Sequence, residues 1–276
     1  MTTVRFTPTL HADYQQLFDG CLIQEARVAE IDATATRIAS GRARYEAVGT
    51  PLDIPWFVVG LIHCMEGGLN FTTHLHNGDP LTARTVHVPA GRPRQGAPTF
   101  AWEDSASDAL CLRNLQKWSD WSLPSTLYQI EAYNGFGYRL HHPEVRTPYL
   151  WSGSNWYTSG KYVADGTWSP SAVSKQCGAA VLLRRLAETH QVVFAHNGSL
   201  IAEHPDIAPV TPDATPTLPL VPYSQRKRSA AAEELQRALN RFPGIFVKVD
   251  GIPGKRTSEA FKRLSGHYLQ GDPRAL

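Results

Sequence analysis

Apolar positions in this chain recur mostly at helical rather than alternating spacing. The clearest run is 53–68, DIPWFVVGLIHCMEGG. Phe57, Val58, Leu61, Ile62 and Met65 lie three to four residues apart or side by side on one stripe. The pattern predicts a helix with Asp53 as N-cap, Pro55 in its first turn and Gly67-Gly68 as its stop. A second helical pattern runs from about Tyr14 to Ser40, with Leu17, Cys21, Ala26, Ala29 and Ile38 loosely on one side. Residues 41–52 read as a connector. Helical spacing resumes near Asp104, with Ala109, Leu112 and Leu115 inward. It returns after Pro124-Ser125, ending at Asn134-Gly135, and again after Ser169-Pro170-Ser171, through Ala179, Val181, Leu182 and Leu186.

One stretch changes character. In 70–98, Thr72, Thr73, Thr82, Thr85, Val86 and Val88 favour extended backbone, and Asn77-Gly78-Asp79-Pro80 is a turn signal. A β-hairpin or small sheet is expected there, followed by an Arg/Pro/Gly loop at 90–94. Between Tyr133 and Trp168, nine aromatics alternate with Gly and Ser, which predicts an aromatic-lined loop region rather than a helix. The whole reads as mainly α (α+β).

Composition sharpens the domain plan. A chain of 276 residues, 42% hydrophobic and 19% charged, has ample core for one or two globular domains. Six prolines between Glu203 and Tyr223 mark an extended linker. The expected division is a domain at 1–202 (core about 53–190, with 1–52 as a helical extension), a linker at 203–225 and a module at 226–276. The net charge of +2 hides an asymmetry: 226–276 carries eleven Lys/Arg against five Asp/Glu, a balance of +6, which leaves −4 for the rest. Such a basic module suits an anionic surface. It has no nucleic-acid recognition motif, so no nucleic-acid partner is expected.

The N-terminus lacks the apolar core of a signal peptide, and no run approaches membrane-spanning length. The expectation is synthesis in the cytoplasm without membrane insertion. Cys21, Cys64, Cys111 and Cys177 are scattered, without CxxC pairing, and read as free buried thiols of a reducing compartment.

The candidate chemistry centres on Glu66. It follows Ile62 by one helical turn, so it continues the buried stripe to the helix end. Burial and the negative end of the helix dipole both disfavour its charged form, which suits a general acid near neutral pH. A surface Glu on a fraying helix end is the alternative. Glu131, three residues before Asn134-Gly135, is a rival acid whose alternative is a structural carboxylate. His63, His74, His76, His87, His141 and His142 invite a zinc reading, and His74-Leu75-His76 can place two imidazoles on one strand face. No HExxH or structural-zinc spacing accompanies them, so no metal or cofactor is expected. GxSxG is also absent.

Two resemblances add to this reading. Leu235-Gln236-Arg237-Ala238-Leu239-Asn240, then Val249-Asp250-Gly251-Ile252-Pro253-Gly254-Lys255-Arg256-Thr257, then Ala260-Phe261-Lys262-Arg263-Leu264 form the order LQxxLN, VDGxPGxxT, AFxxL. That order resembles the three-helix peptidoglycan-binding module appended to many cell-wall hydrolases. The resemblance implies that Asp250, Gly251 and Thr257 lie near a wall-binding surface. Thr257 is also a possible cap for the last helix. From about Asp53 to Leu186, a helix ending in Glu, a Thr-rich hairpin and helices with Tyr133-Asn134-Gly135 resemble the lysozyme superfamily, including endolysin-like proteins.

This second resemblance implies a muramidase-type glycoside hydrolase. In it Glu66 is the general acid, Asp79 the second carboxylate, and Thr85 (or Thr82) orients a water. Tyr133, Asn134 and Trp151 are the expected substrate-binding residues of the cleft. Without a working second carboxylate, a lytic transglycosylase is implied. A zinc amidase or endopeptidase and a non-catalytic wall-binding protein remain as alternatives. The expected partner is bacterial peptidoglycan, met by a monomer at the cell wall or periplasm after release or secretion.

Overall fold

The computed structural model describes residues 4–164, 166–192, 194 and 218–275. The chain divides into two compact units, Met1–Leu186 and Ala187–Leu276. The Pro-rich stretch at 203–217 lies outside the described residues. The last part of the expected linker does not behave as one. Leu218, Val221 and Tyr223 are apolar and pack into the core of the second unit.

The first unit is mainly helical. Helix α1 (Pro8–Asp19) starts at Thr7, whose hydroxyl accepts from the Leu10 amide at 3.2 Å. It stops at Gly20, so the helical pattern of 14–40 is two helices and not one. A β-carbon at Gly20 would meet the Trp156 ring at 2.9 Å, which helps to explain the break at this point. Helix α2 (Val28–Ser40) follows, and the expected connector is itself helical, as α3 (Arg42–Gly49). Both pack on α4 (Trp56–Gly67), the apolar helix of the sequence pattern. Gly60 permits this approach: a β-carbon there would lie 2.9 Å from Ile38 and 3.0 Å from Tyr45.

The start of α4 differs from expectation. Asp53 sits at φ 54° outside the helix, and Pro55 is the residue at the cap. Proline disfavours helical backbone in the residue before it, so Ile54 cannot extend α4 backward to an Asp53 cap.

The expected hairpin at 70–98 is absent. An isolated bridge joins Thr73 to Pro80, and the remainder is turn and loop. Side chains take the backbone groups that a ladder would use, as the Asp79 and Thr85 contacts below show, and prolines at 80, 89, 93 and 98 remove donors. Helices α5 (Trp102–Leu112), α6 (Leu123–Asn134), α7 (Gly137–His141) and α8 (Pro148–Trp151) follow, and α6 packs on both α4 and α8. The small hairpin lies later, in the aromatic stretch. Strand β1 (Lys161–Ala164) pairs antiparallel with β2 (Thr167–Ser169), with Lys161 opposite Ser169 and Tyr162 opposite Trp168. Helix α9 (Ala179–Glu188) buries Val181, Leu182, Leu183 and Leu186. Its buried Arg184 donates to the Phe18 carbonyl at 3.0 Å, satisfying the C-terminal end of α1.

The second unit has two helices among the described residues, α10 (Ala230–Leu239) and α11 (Lys255–Ser265), not three. Residues 229–234 begin α10 and supply no separate helix. Its core comprises Leu235, Leu239, Ile245, Val247, Ala260, Phe261 and Leu269 with Val221 and Ala232. No single helix among the described residues is long and apolar enough to cross a membrane.

Candidate active site

Helix α4 delivers Glu66 to its last turn, and Gly68 ends the helix at φ 57°. Left-handed backbone costs glycine little, so the stop lies where the sequence puts it. Glu66 is half-buried. The Tyr149 hydroxyl, on the one-turn helix α8, donates to its Oε1 at 2.7 Å. Burial pushes the Glu66 carboxyl above the ordinary carboxylate range, and the Tyr149 hydrogen bond and the Arg113 charge only partly oppose this. Tyr149 and Tyr133 in turn have phenols raised by burial and by the negative charge of Glu66. Arg113 lies over the Tyr133 ring at 5.1 Å. Gln176 donates to the Met65 carbonyl at 2.8 Å and braces the turn that carries Glu66.

Tyr149 and Gln176 also line a cavity of about 370 Å³, together with Asn134, Tyr138, Lys161 and Tyr162. Ring contacts support the hairpin side of this cavity. Tyr162 contacts Tyr138 and Trp168 edge-to-face, and His142 stacks on Trp168 with ring centres 3.5 Å apart. A carboxyl raised by burial, beside a cavity of phenols and amides, suits donation of a proton to a bound oxygen leaving group.

The expected partners of Glu66 are placed elsewhere. Asp79 is buried in its own loop. Its Oδ2 accepts from the backbone amides of Val86 (2.8 Å) and His87 (3.0 Å) and from Asn77 Nδ2 (3.0 Å), and its Oδ1 meets His87 Nδ1. The His87 contact, foremost, holds its carboxyl well below the usual range. Asp79 therefore organises the turn, which satisfies the local backbone. Thr85 is buried too: its hydroxyl donates to the Pro89 carbonyl at 2.6 Å and accepts from the Arg92 amide at 2.9 Å. That hydroxyl closes a loop and has its donor committed there, while Thr82 is exposed.

Of the expected cleft residues, Asn134 lines the cavity and Tyr133 packs beside Glu66. Trp151 is 1% exposed and belongs to the core; only Tyr149, two residues earlier on α8, is turned to Glu66. Tyr149 is one of the nine aromatics of the loop region, and no sequence pattern marks Arg113, Lys161 or Gln176. A Thr147-Pro148 helix start is legible before Tyr149, but nothing local ties it to a carboxylate 83 positions away.

Glu131, the rival acid, is a structural carboxylate. It is 2% exposed, accepts from Tyr14 at 2.6 Å and is held by Arg139 through both Nε (3.2 Å) and a terminal nitrogen (3.0 Å). Two of the candidate histidines, His74 and His76, are also engaged within the fold. His74 meets Ser105 and the Ala83 carbonyl through its two ring nitrogens, and His76 meets Asp108 at 2.8 Å. No group of three or more His, Cys, Asp or Glu side chains suited to a metal occurs among the described residues. None of the four cysteines is in a disulfide; Cys21 and Cys177 are buried, and Cys64 and Cys111 only partly so.

In the second unit, the expected binding residues build a turn. Gln236 donates to Asp250 Oδ1 (2.9 Å), the Ile252 carbonyl (3.0 Å) and Thr257 Oγ1 (3.1 Å). Its Oε1 accepts from the amides of Asp250 (2.9 Å) and Gly251 (2.8 Å). One turn on, Asn240 pairs with both the amide and the carbonyl of Val247. Gly251 adopts φ 71°. Thr257 lies inside α11, 2% exposed, and the cap position belongs to Gly254. Gly251 and Thr257 are thus interior parts of the turn, and Asp250 is partly exposed above it.

No family model, no curated protein and no solved structure matches this chain.

Proposed function

We propose that this protein cleaves the glycan strand of bacterial peptidoglycan, with Glu66 as the general acid that protonates the glycosidic oxygen. One observation carries the reading: a half-buried carboxyl at a helix end, raised by burial and hydrogen-bonded to Tyr149, beside a cavity of phenols and amides. The Tyr138, Tyr149 and Tyr162 rings that line the cavity suit sugar rings, and amides such as Asn134 and Gln176 suit their hydroxyl and acetamido groups. The sequence order around Gln236 and Asn240 supports the wall as substrate, because that order resembles wall-binding modules. A tethered module of this kind raises the local concentration of the cleft at the wall.

The engagement of Asp79 and Thr85 in their own loops favours a second reading of the same site. A lytic transglycosylase needs one acid and uses a hydroxyl of the sugar itself in place of water. Mass analysis of digested peptidoglycan separates the two. Reducing muramic ends identify a hydrolase, and anhydro-muramic ends a transglycosylase. Cleaved peptide stems would overturn both.

A further inference from the structure

We infer that the cavity beside Glu66 contains a carboxylate-binding subsite, with Lys161 as its cation, so that the substrate strand is bound by charge as well as by stacking. The inference rests on the glycan-cleaving reading and gives that substrate a chemical class.

The cavity wall has a one-sided charge. Lys161 is the cation on it, and no Asp or Glu lines it among the described residues. Lys161 forms no ion pair with any described carboxylate, unlike the arginines nearby: Arg139 is held by Glu131 and Asp13, and Arg146 lies near Asp13. A partly exposed lysine on a concave wall, paired with no carboxylate among the described residues, is available to an anion from outside.

Its position is also well defined. Lys161 begins β1 and pairs with Ser169 across the hairpin, and the next residue, Tyr162, is fixed by Tyr138 and Trp168. The base of the lysine is therefore anchored, while its flexible stem lets the ammonium follow the ligand. Around it, Asn134 and Gln176 offer amide donors that a carboxylate can share. Tyr149 lines the same cavity and hydrogen-bonds Glu66, so the subsite adjoins the candidate acid.

Two sources in the wall carry this chemistry: the lactyl group of a muramic residue, free where the stem has been removed, and the stem peptide itself. Binding is measured by calorimetry in the full-length protein carrying Glu66→Gln, so that turnover does not intervene. The ligands are soluble peptidoglycan fragments with stems, stem-free strands, and chitin oligomers of equal length, which carry no carboxylate. The expected result is a preference for charged over uncharged strands that falls about tenfold in Lys161→Met, the scale of one charge-assisted pair, and is kept in Lys161→Arg. Added salt shrinks the wild-type preference towards that of Lys161→Met. Loss confined to stem-bearing fragments assigns the stem as the source, and loss confined to stem-free strands assigns the lactyl group. An equal fall for chitin oligomers and charged strands overturns the subsite, as does a preference that Lys161→Met leaves intact. Mass analysis of each ligand after titration shows whether it was cleaved, so a failure of Glu66 as the acid is told apart from a failure of the subsite.

Discussion

Glu66 and Glu131 begin from nearly the same local situation. Each sits in the last turn of an apolar helix, α4 or α6, and each accepts a hydrogen bond from a tyrosine, at 2.7 Å from Tyr149 and 2.6 Å from Tyr14. They differ in what else faces them. Glu131 is gripped by both sides of the Arg139 guanidinium and is sealed from solvent. Glu66 has a more distant cation, Arg113, whose influence is smaller than that of burial, and a cavity next to its tyrosine. The first arrangement pairs an acid within the fold; the second leaves a carboxyl raised by burial beside a cavity. The nearest cation, not the helix end, sets the two environments apart.

The comparison can be broken at either residue. The largest stability effect is expected at Glu131. Glu131→Ala leaves the Arg139 charge with Asp13 alone and the Tyr14 hydroxyl unpaired, and is expected to cost about 3 kcal/mol in chemical denaturation. A cost within about 0.5 kcal/mol, the range of an ordinary surface change, would dissolve the distinction.

A neutral counterpart sharpens it. Gln236 is buried with both ends of its amide satisfied, so Gln236→Ala strands the amides of Asp250 and Gly251. The expected loss is about 2 kcal/mol, seen in the full chain as faster hydrogen exchange at 229–265, with no change in 102–134.

Glu66→Gln is expected to do the opposite and stabilise. Because burial raises the Glu66 carboxyl, the folded protein retains a proton that the unfolded chain has released. Stability therefore falls as pH rises from the ordinary carboxylate range through the raised value. Glutamine removes that penalty and can still accept from Tyr149. A gain of about 1 kcal/mol at neutral pH, shrinking as pH falls towards the ordinary carboxylate range, is the expected result. Destabilisation at neutral pH would place Glu66 with Glu131.

The smallest effect is a shift of position on the pH axis. The Tyr149 hydroxyl lowers the Glu66 carboxyl by favouring its charged form. In Tyr149→Phe the alkaline limb of the rate profile is expected to move to higher pH, because the acid holds its proton longer. A move to lower pH contradicts the assignment.

Part of this was legible in the sequence and part was not. Residues 56–67 announce a helix because apolar spacing and Gly68 are local properties, and they carry Glu66 to the right end of it. The six-residue order from Leu235 to Asn240 likewise announces a helix, and Gln236 and Asn240, four positions apart, emerge on the face that holds the loop. What failed depended on partners far along the chain. Asp79 and Thr85 looked available because their ligands, the backbone of 86–92, are invisible to periodicity. The threonines of 70–98 suggested strands, yet their loop closes on side chains. Tyr149 meets Glu66 across 83 positions, and Trp151 and Tyr149 look alike until the fold buries one and turns the other to the carboxyl.

The most direct test sets the two acids side by side in one assay. Wild type, Glu66→Gln and Glu131→Gln are compared for turnover of purified peptidoglycan, at a temperature where circular dichroism shows all three folded. The expected outcome is a fall of about a thousandfold for Glu66→Gln, the range of a lost general acid, with Glu131→Gln within about tenfold of wild type. Near-normal turnover by Glu66→Gln, with a large loss in folded Glu131→Gln, would contradict the assignment of Glu66 as the acid.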